Sequence, residues 1–221
     1  MKTKTLFAAI LTIGIVPFQC FSAEHVVPLC GLSCLSNPLN AGPAGQVNRA
    51  DHVIPYRDGD NIQIWTGMGW ETWFMDSLSS TGWYNSAGNQ AALTSLPVLG
   101  PGKGFFYGNN SGAATITFSG TVRTGTNAVT VPIGLSALGS PLALAGPVTS
   151  VLGLPLQTGN NIQKWNCDTS SWDAYLRDSL SETGWSDSQG ADCPEPTIAI
   201  GEGFFFGNNT GTFNWIQILN P

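Results

Sequence analysis

The feature that most constrains this chain is an internal repeat. GLSCLSNPL at 31–39 returns as GLSALGSPL at 134–142, and NIQIW at 61–65 as NIQKW at 161–165. DSLSSTGW at 76–83 returns as DSLSETGW at 178–185, and GKGFFYGNN at 102–110 as GEGFFFGNN at 201–209. The order is the same and the offset stays between 99 and 103 residues. Four ordered blocks exclude coincidence. A period near one hundred residues is too long for a solenoid unit. The chain is therefore a duplicated small domain, or two halves of one barrel.

Each copy reads as β. The segments are short, they are separated by Gly, Pro, Ser, Thr and Asn, and none carries a long helical period. FFY at 105–107, GNNSG at 108–112 and ATITF at 114–118 have the form of a hairpin, with Gly and Asn supplying the positive φ of a tight turn. Ile116 and Phe118 alternate with Thr115 and Thr117, which gives one buried face. The FFY and FFF strands are apolar on both faces, as a central strand covered on each side requires. The expected fold is all-β, with two tandem pseudo-symmetric repeats of β-sandwich or barrel-like form, at 23–123 and 124–221.

Residues 1–22 read as a signal peptide. Lys2 and Lys4 precede an apolar stretch from Leu6 to Val16, too short for a membrane span, and Cys20 and Ser22 supply small residues at −3 and −1. The mature chain is expected outside the cell or on its surface, without membrane insertion. It keeps six basic residues against fourteen acidic ones, a balance that repels nucleic acid. Four cysteines remain, Cys30, Cys34, Cys167 and Cys193, and an even number after export implies two disulfides. Cys167 and Cys193 occur together in one copy and are absent together from the other, which favours Cys167–Cys193. Cys30–Cys34 follows by exclusion, although an extended strand would hold those Cα atoms about 13 Å apart and Gly31 would have to turn the chain.

The repeat also sorts the tryptophans. Ile64 becomes Lys164, so that strand face is expected to meet solvent, with Trp65 and Trp165 on the opposite, core face. Trp83 and Trp185 occupy equivalent positions after Thr-Gly and are also expected in the core, while Trp70 and Trp172 stay unassigned. Trp73, aligned near Tyr175, is the candidate exposed aromatic. That pair is the candidate ligand site for a glycan, whose pyranose faces pack on flat rings.

The order of motifs resembles duplicated β modules of bacterial cell-surface and secreted proteins, with an opening GWNL-like strand, a hairpin rich in Trp, and a PGKGYW-like strand. Here these are GLSCL and GLSAL, NIQIW and NIQKW, and GKGFFY and GEGFFF. The resemblance covers most of residues 24–221. It implies an extracellular or surface location rather than a reaction.

No catalytic constellation assembles from the sequence. His25 is expected to be mobile at the processed N-terminus, and His52 to lie in a surface loop without a nucleophile elbow to serve it. Asp76 and Asp178 are equivalent and would make a carboxylate pair only if the copies faced each other; the Asp-Ser-Leu-Ser setting reads more simply as a turn. Asp58-Gly59-Asp60-Asn61 has oxygens for calcium, but copy two offers no carboxylate there, so a turn explains both copies. The two Asn-Asn-Ser/Thr sequons coincide with turns. Neither metal nor cofactor is called for. The function expected is structural or adhesive, with a glycan or a matrix protein as partner; a carbohydrate-binding module is the alternative, and an enzyme is not expected.

Overall fold

The computed structural model describes residues 22–41 and 48–220. The signal-peptide segment lies outside the described residues except for Ser22. Copy one contains β1 (Ser22–Pro28), β2 (Leu32–Ser36), the one-turn helix α1 (Ala50–Val53), β3 (Asn61–Trp65), β4 (Trp70–Met75), β5 (Trp83–Asn85), β6 (Gly104–Gly108) and β7 (Thr115–Thr121). Copy two contains β8 (Gly125–Val131), β9 (Gly134–Gly139), β10 (Gly146–Pro147), β11 (Asn161–Asn166), β12 (Ser171–Arg177), β13 (Trp185–Asp187), β14 (Thr197–Ile198), β15 (Gly203–Asn208) and β16 (Phe213–Leu219).

Each copy has two layers. A five-stranded antiparallel sheet runs β2-β6-β3-β4-β5 in copy one and β9-β15-β11-β12-β13 in copy two. The strand orders correspond one for one, as a duplication requires. A two-stranded ribbon covers each sheet: β1 with β7, and β8 with β16. The sequence reason is alternation. Phe105 and Tyr107 on β6 face the ribbon with Leu35 and Ile62, and meet Val27, Ile116 and Phe118 from it. Phe204 and Phe206 on β15 do the same in copy two, against Val131 and Trp215. The FFY and FFF strands are central, and Phe106 and Phe205 point to the opposite face.

The expected β6–β7 hairpin does not form. β6 pairs with β2 and β3, while β7 pairs with β1 in the other layer. The Gly-Asn-Asn segment is a corner between layers. Asn109 ties it to Ala113 through both side-chain atoms, and Asp60 holds it from the sheet: its carboxylate accepts from the Asn110 and Ser111 backbone N–H groups, the Ser111 hydroxyl and the Tyr107 hydroxyl. Four donors saturate this buried carboxylate, and Asp58 and Gly59 just before it form the expected turn, with the Asp60 N–H donating to the Arg57 carbonyl at 3.1 Å. Burial, then the bond to Asp60, raises the Tyr107 phenol above its ordinary range. Copy two has Asn160 and Phe206 at the equivalent positions, so the acid and its phenol partner are exchanged together.

Two further expectations are corrected. The Ile64 face of β3 is the core face, since Ile62 and Ile64 both pack into copy one. Lys164 is tolerated there because its stem lies on the core while its ammonium reaches the Thr197 carbonyl at 2.6 Å and Glu202 at 3.1 Å. Trp65 and Trp165 are only half-buried, and they face the other copy rather than their own core. Trp83 and Trp185 are buried as expected.

Candidate functional site

The outward faces of the two sheets meet across a pseudo-two-fold axis. Their approach is set by the Gly-x-Gly-Phe-Phe motifs. The Ser36 N–H donates to the Gly201 carbonyl at 2.9 Å, and the equivalent Gly139 N–H to Gly102 at 3.3 Å. Leu35 bridges to Glu202 and Leu138 to Lys103. A Cβ on Gly203 would lie 2.5 Å from the Leu35 oxygen, and one on Gly104 would lie 2.6 Å from the Leu138 oxygen. The second glycine of each motif is therefore demanded by the backbone of the opposite copy.

Six aromatic rings fill the junction. Phe106 and Phe205 sit at its centre with centroids 6.5 Å apart. Trp65 and Trp165 each reach the other copy: Trp65 lies 6.0 Å from Phe205, and Trp165 lies 5.6 Å from Phe106. Their indole N–H groups donate across the axis, Trp65 to the Leu135 carbonyl at 2.9 Å and Trp165 to the Leu32 carbonyl at 2.6 Å. Trp70 and Trp172 complete the cluster, each within 6 Å of both phenyl rings. They remain 44% and 38% exposed. Neither indole N–H has a hydrogen-bond partner among the described residues.

The strand registers place Trp70 and Trp172 on this face. Trp70 pairs with Trp65 and Trp172 with Trp165, so each stands on the outward side of its hairpin. Gln63 and Gln163 stand beside them, opposite Phe106 and Phe205. Each glutamine amide donates to the neighbouring Asn61 or Asn161 and leaves its carbonyl without a donor among the described residues. The residues that β3, β4, β11 and β12 present outward carry no charge, while Glu71, Asp173 and Arg177 point to the other side of their strands.

Trp73 and Tyr175 are not the exposed platform that the sequence suggested. Trp73 pairs with Ile62 and Tyr175 with Ile162, so both rings lean half-buried on the cores of their own copies. The exposed rings Trp70 and Trp172 each lie three residues earlier, on the alternate face.

The disulfide expectation is also corrected. Cys30 is bonded to Cys167, 137 residues away, with Cα atoms 5.8 Å apart; Cys34 and Cys193 are free thiols. Cys167 lies in the β11–β12 turn beside Trp172, whereas Cys193 hydrogen-bonds Trp185, whose strand partner is Arg177 at the far end of β12. Six residues of strand place those ends about 20 Å apart, beyond any bridge. Cys34 lies mid-strand on the aromatic face, out of reach of Cys30 at the strand's entrance. The repeat contains the signal that finds this. Cys34 stands where copy two has Ala137, and Cys193 where copy one has Ala91; each of the latter pair donates its N–H to the Trp of its own copy. Free cysteine packs as a small apolar residue. Burial, then the charge of Glu202, pushes the Cys34 thiol far up, which disfavours its thiolate.

Beside the disulfide, His25, Cys34, Trp165, Ile200 and Glu202 line a cleft of about 440 Å³ between the copies. Its polar groups are engaged. His25 is held within β1 and its Nε2 bonds the Ile200 carbonyl at 2.9 Å, so it is not a mobile N-terminal residue. Glu202 accepts from the Ala199 N–H and pairs with Lys164. A second, open cleft of about 540 Å³ in copy one includes Asp58, Phe74, Asp76 and Tyr84. Asp76 and Asp178 each accept from a backbone N–H two residues on, at Leu78 and Leu180, as turn residues do. The Ser77 N–H and the Tyr56 hydroxyl lower Asp58 below the usual carboxylate range. His52 sits in α1, half-exposed beside the Arg49–Asp51 pair. No helix among the described residues is long and apolar enough to cross a membrane. No family model, curated protein or solved structure matches the chain.

Proposed function

We propose that this chain is an exported β protein with a structural or adhesive role outside the cell or at its surface. The observation that carries the reading is the Cys30–Cys167 crosslink, which joins the two copies across their interface. Such a bond persists in oxidising compartments and is rare in reducing ones. The charged and apolar pattern of residues 1–22 points the same way, as does the resemblance to surface modules.

The structural half of the reading rests on what the repeated residues do. Gly104 and Gly203 admit the opposite backbone, Trp65 and Trp165 bond across the axis, and Asp76 and Asp178 close turns. The duplication has preserved a scaffold locked as one unit. The partner is a matrix component, glycan or protein. The test is fractionation of producing cells with N-terminal sequencing of the released protein. Release or surface exposure, with a mature chain starting at Ala23, is expected. An unprocessed chain retained inside the cell overturns the proposal.

A further inference from the structure

We infer that the pseudo-symmetric aromatic face around Trp70 and Trp172 binds a neutral polysaccharide. The inference goes beyond an adhesive role by naming the site and the class of ligand, and it rests on that role only for its location outside the cell.

Four observations select the ligand. First, Trp70 and Trp172 are exposed yet fixed, because each packs edge-on against two phenyl rings and a neighbouring tryptophan. Rings already held lose little freedom on binding. Second, their indole N–H groups and the Gln63 and Gln163 carbonyls have no partner among the described residues. An apolar platform rimmed by spare donors and acceptors matches a sugar, which has C–H faces and hydroxyl edges. Third, the outward strand positions carry no charge, so nothing there recognises an ionic group. The mature chain's six basic residues against fourteen acidic ones repel anionic glycans, which leaves neutral ones. Fourth, the pseudo-two-fold presents the same pair of groups twice on one rigid body. A polymer of repeating sugars can engage both at once, gaining avidity without a second molecule.

The full mature chain is tested by retention on insoluble cellulose and chitin and on soluble mixed-linkage β-glucan, with heparin as the charged control. The expected result is retention by at least one neutral polysaccharide and none by heparin. Trp70→Ala and Trp172→Ala should each weaken that retention at least tenfold. Leu78→Ala, at an exposed turn outside this face, should leave it unchanged. If either Trp variant loses the native circular-dichroism spectrum, the Gln63→Ala/Gln163→Ala double variant carries the test, with at least threefold weakening expected. No retention on any neutral polysaccharide overturns the inference. So does equal retention on heparin, or retention indifferent to the substitutions. A protein found at the surface without glycan binding would sink this inference and leave the adhesive reading in place; an intracellular one would sink the adhesive reading.

Discussion

Gly203→Ala perturbs the junction between copies through the backbone of the opposite copy. The added Cβ would meet the Leu35 oxygen at 2.5 Å, the Leu35 carbonyl carbon at 2.9 Å and the Cys34 sulfur at 3.0 Å. The oxygen contact is about 1 Å short of normal separation, and two of the three atoms are backbone. Relief therefore requires β2 and β15 to move apart, which loosens the Ser36–Gly201 hydrogen bond and the packing of Phe106 on Phe205. Overpacking of this kind costs about 1–3 kcal/mol, or roughly 2–12 °C in Tm for a chain of this size. Gly104→Ala repeats the clash across the axis, against Leu138. Because either change opens the same junction, the double variant should cost less than the sum of the two. Gly31→Ala, with nothing within 4 Å, is the control and should stay within about 0.5 kcal/mol. Urea unfolding monitored by tryptophan fluorescence measures all four. A Gly203→Ala chain as stable as the control would refute the claim that the motif's second glycine exists to admit the opposite copy.

Other outcomes are as specific. Replacing Cys30 and Cys167 by Ser releases a loop of 137 residues, worth about 5 kcal/mol in the chain-entropy model. Cys34→Ala and Cys193→Ala, which copy the other repeat, should each cost less than about 1.5 kcal/mol in the same urea unfolding. Trp185→Ala should cost about 3–5 kcal/mol, far more than Trp172→Ala at its half-exposed site. Tyr107→Phe removes a bond to a buried carboxylate and should cost about 1.5–3 kcal/mol; adding Asp60→Asn, which recreates the pair in copy two, should cost less than the two single changes together. Glu195 is partly buried, which alone would raise it, but the Ser150 and Thr149 donors outweigh that and hold it below the usual carboxylate range. Its contribution is present above the unfolded pKa and is lost as pH falls through the depressed folded value. The stability gap between the wild type and Glu195→Gln should thus be open at neutral pH and close in acid.

The duplication, the β class and the central FF strands were legible because they depend on local composition and on alternation within a strand. Parity across a turn was harder to read. Ile64 against Lys164 looked like a solvent face because a lysine can lie on a core and still place its ammonium on Thr197 and Glu202. The same inversion placed Trp65 and Trp165 in the cores, whereas they share their face with the exposed rings Trp70 and Trp172. Pairing Trp65 with Trp70 through the short TGMG turn shows that the two rings share a face, but not which face is the core. The hairpin expected after FFY failed for a different reason. A Gly-Asn-Asn turn fits a corner as well as a hairpin, and what decides is the distant Asp60, which anchors this one. The cysteines were misjudged because co-occurrence within a copy says nothing about a bond between copies.

The direct test of the account is non-reducing peptide mapping of the protein collected from outside the cell. The account predicts one crosslinked pair, Cys30 with Cys167, and free thiols at Cys34 and Cys193. A Cys167–Cys193 or Cys30–Cys34 peptide, or four free thiols, would contradict the covalent joining of the two copies on which the extracellular reading stands.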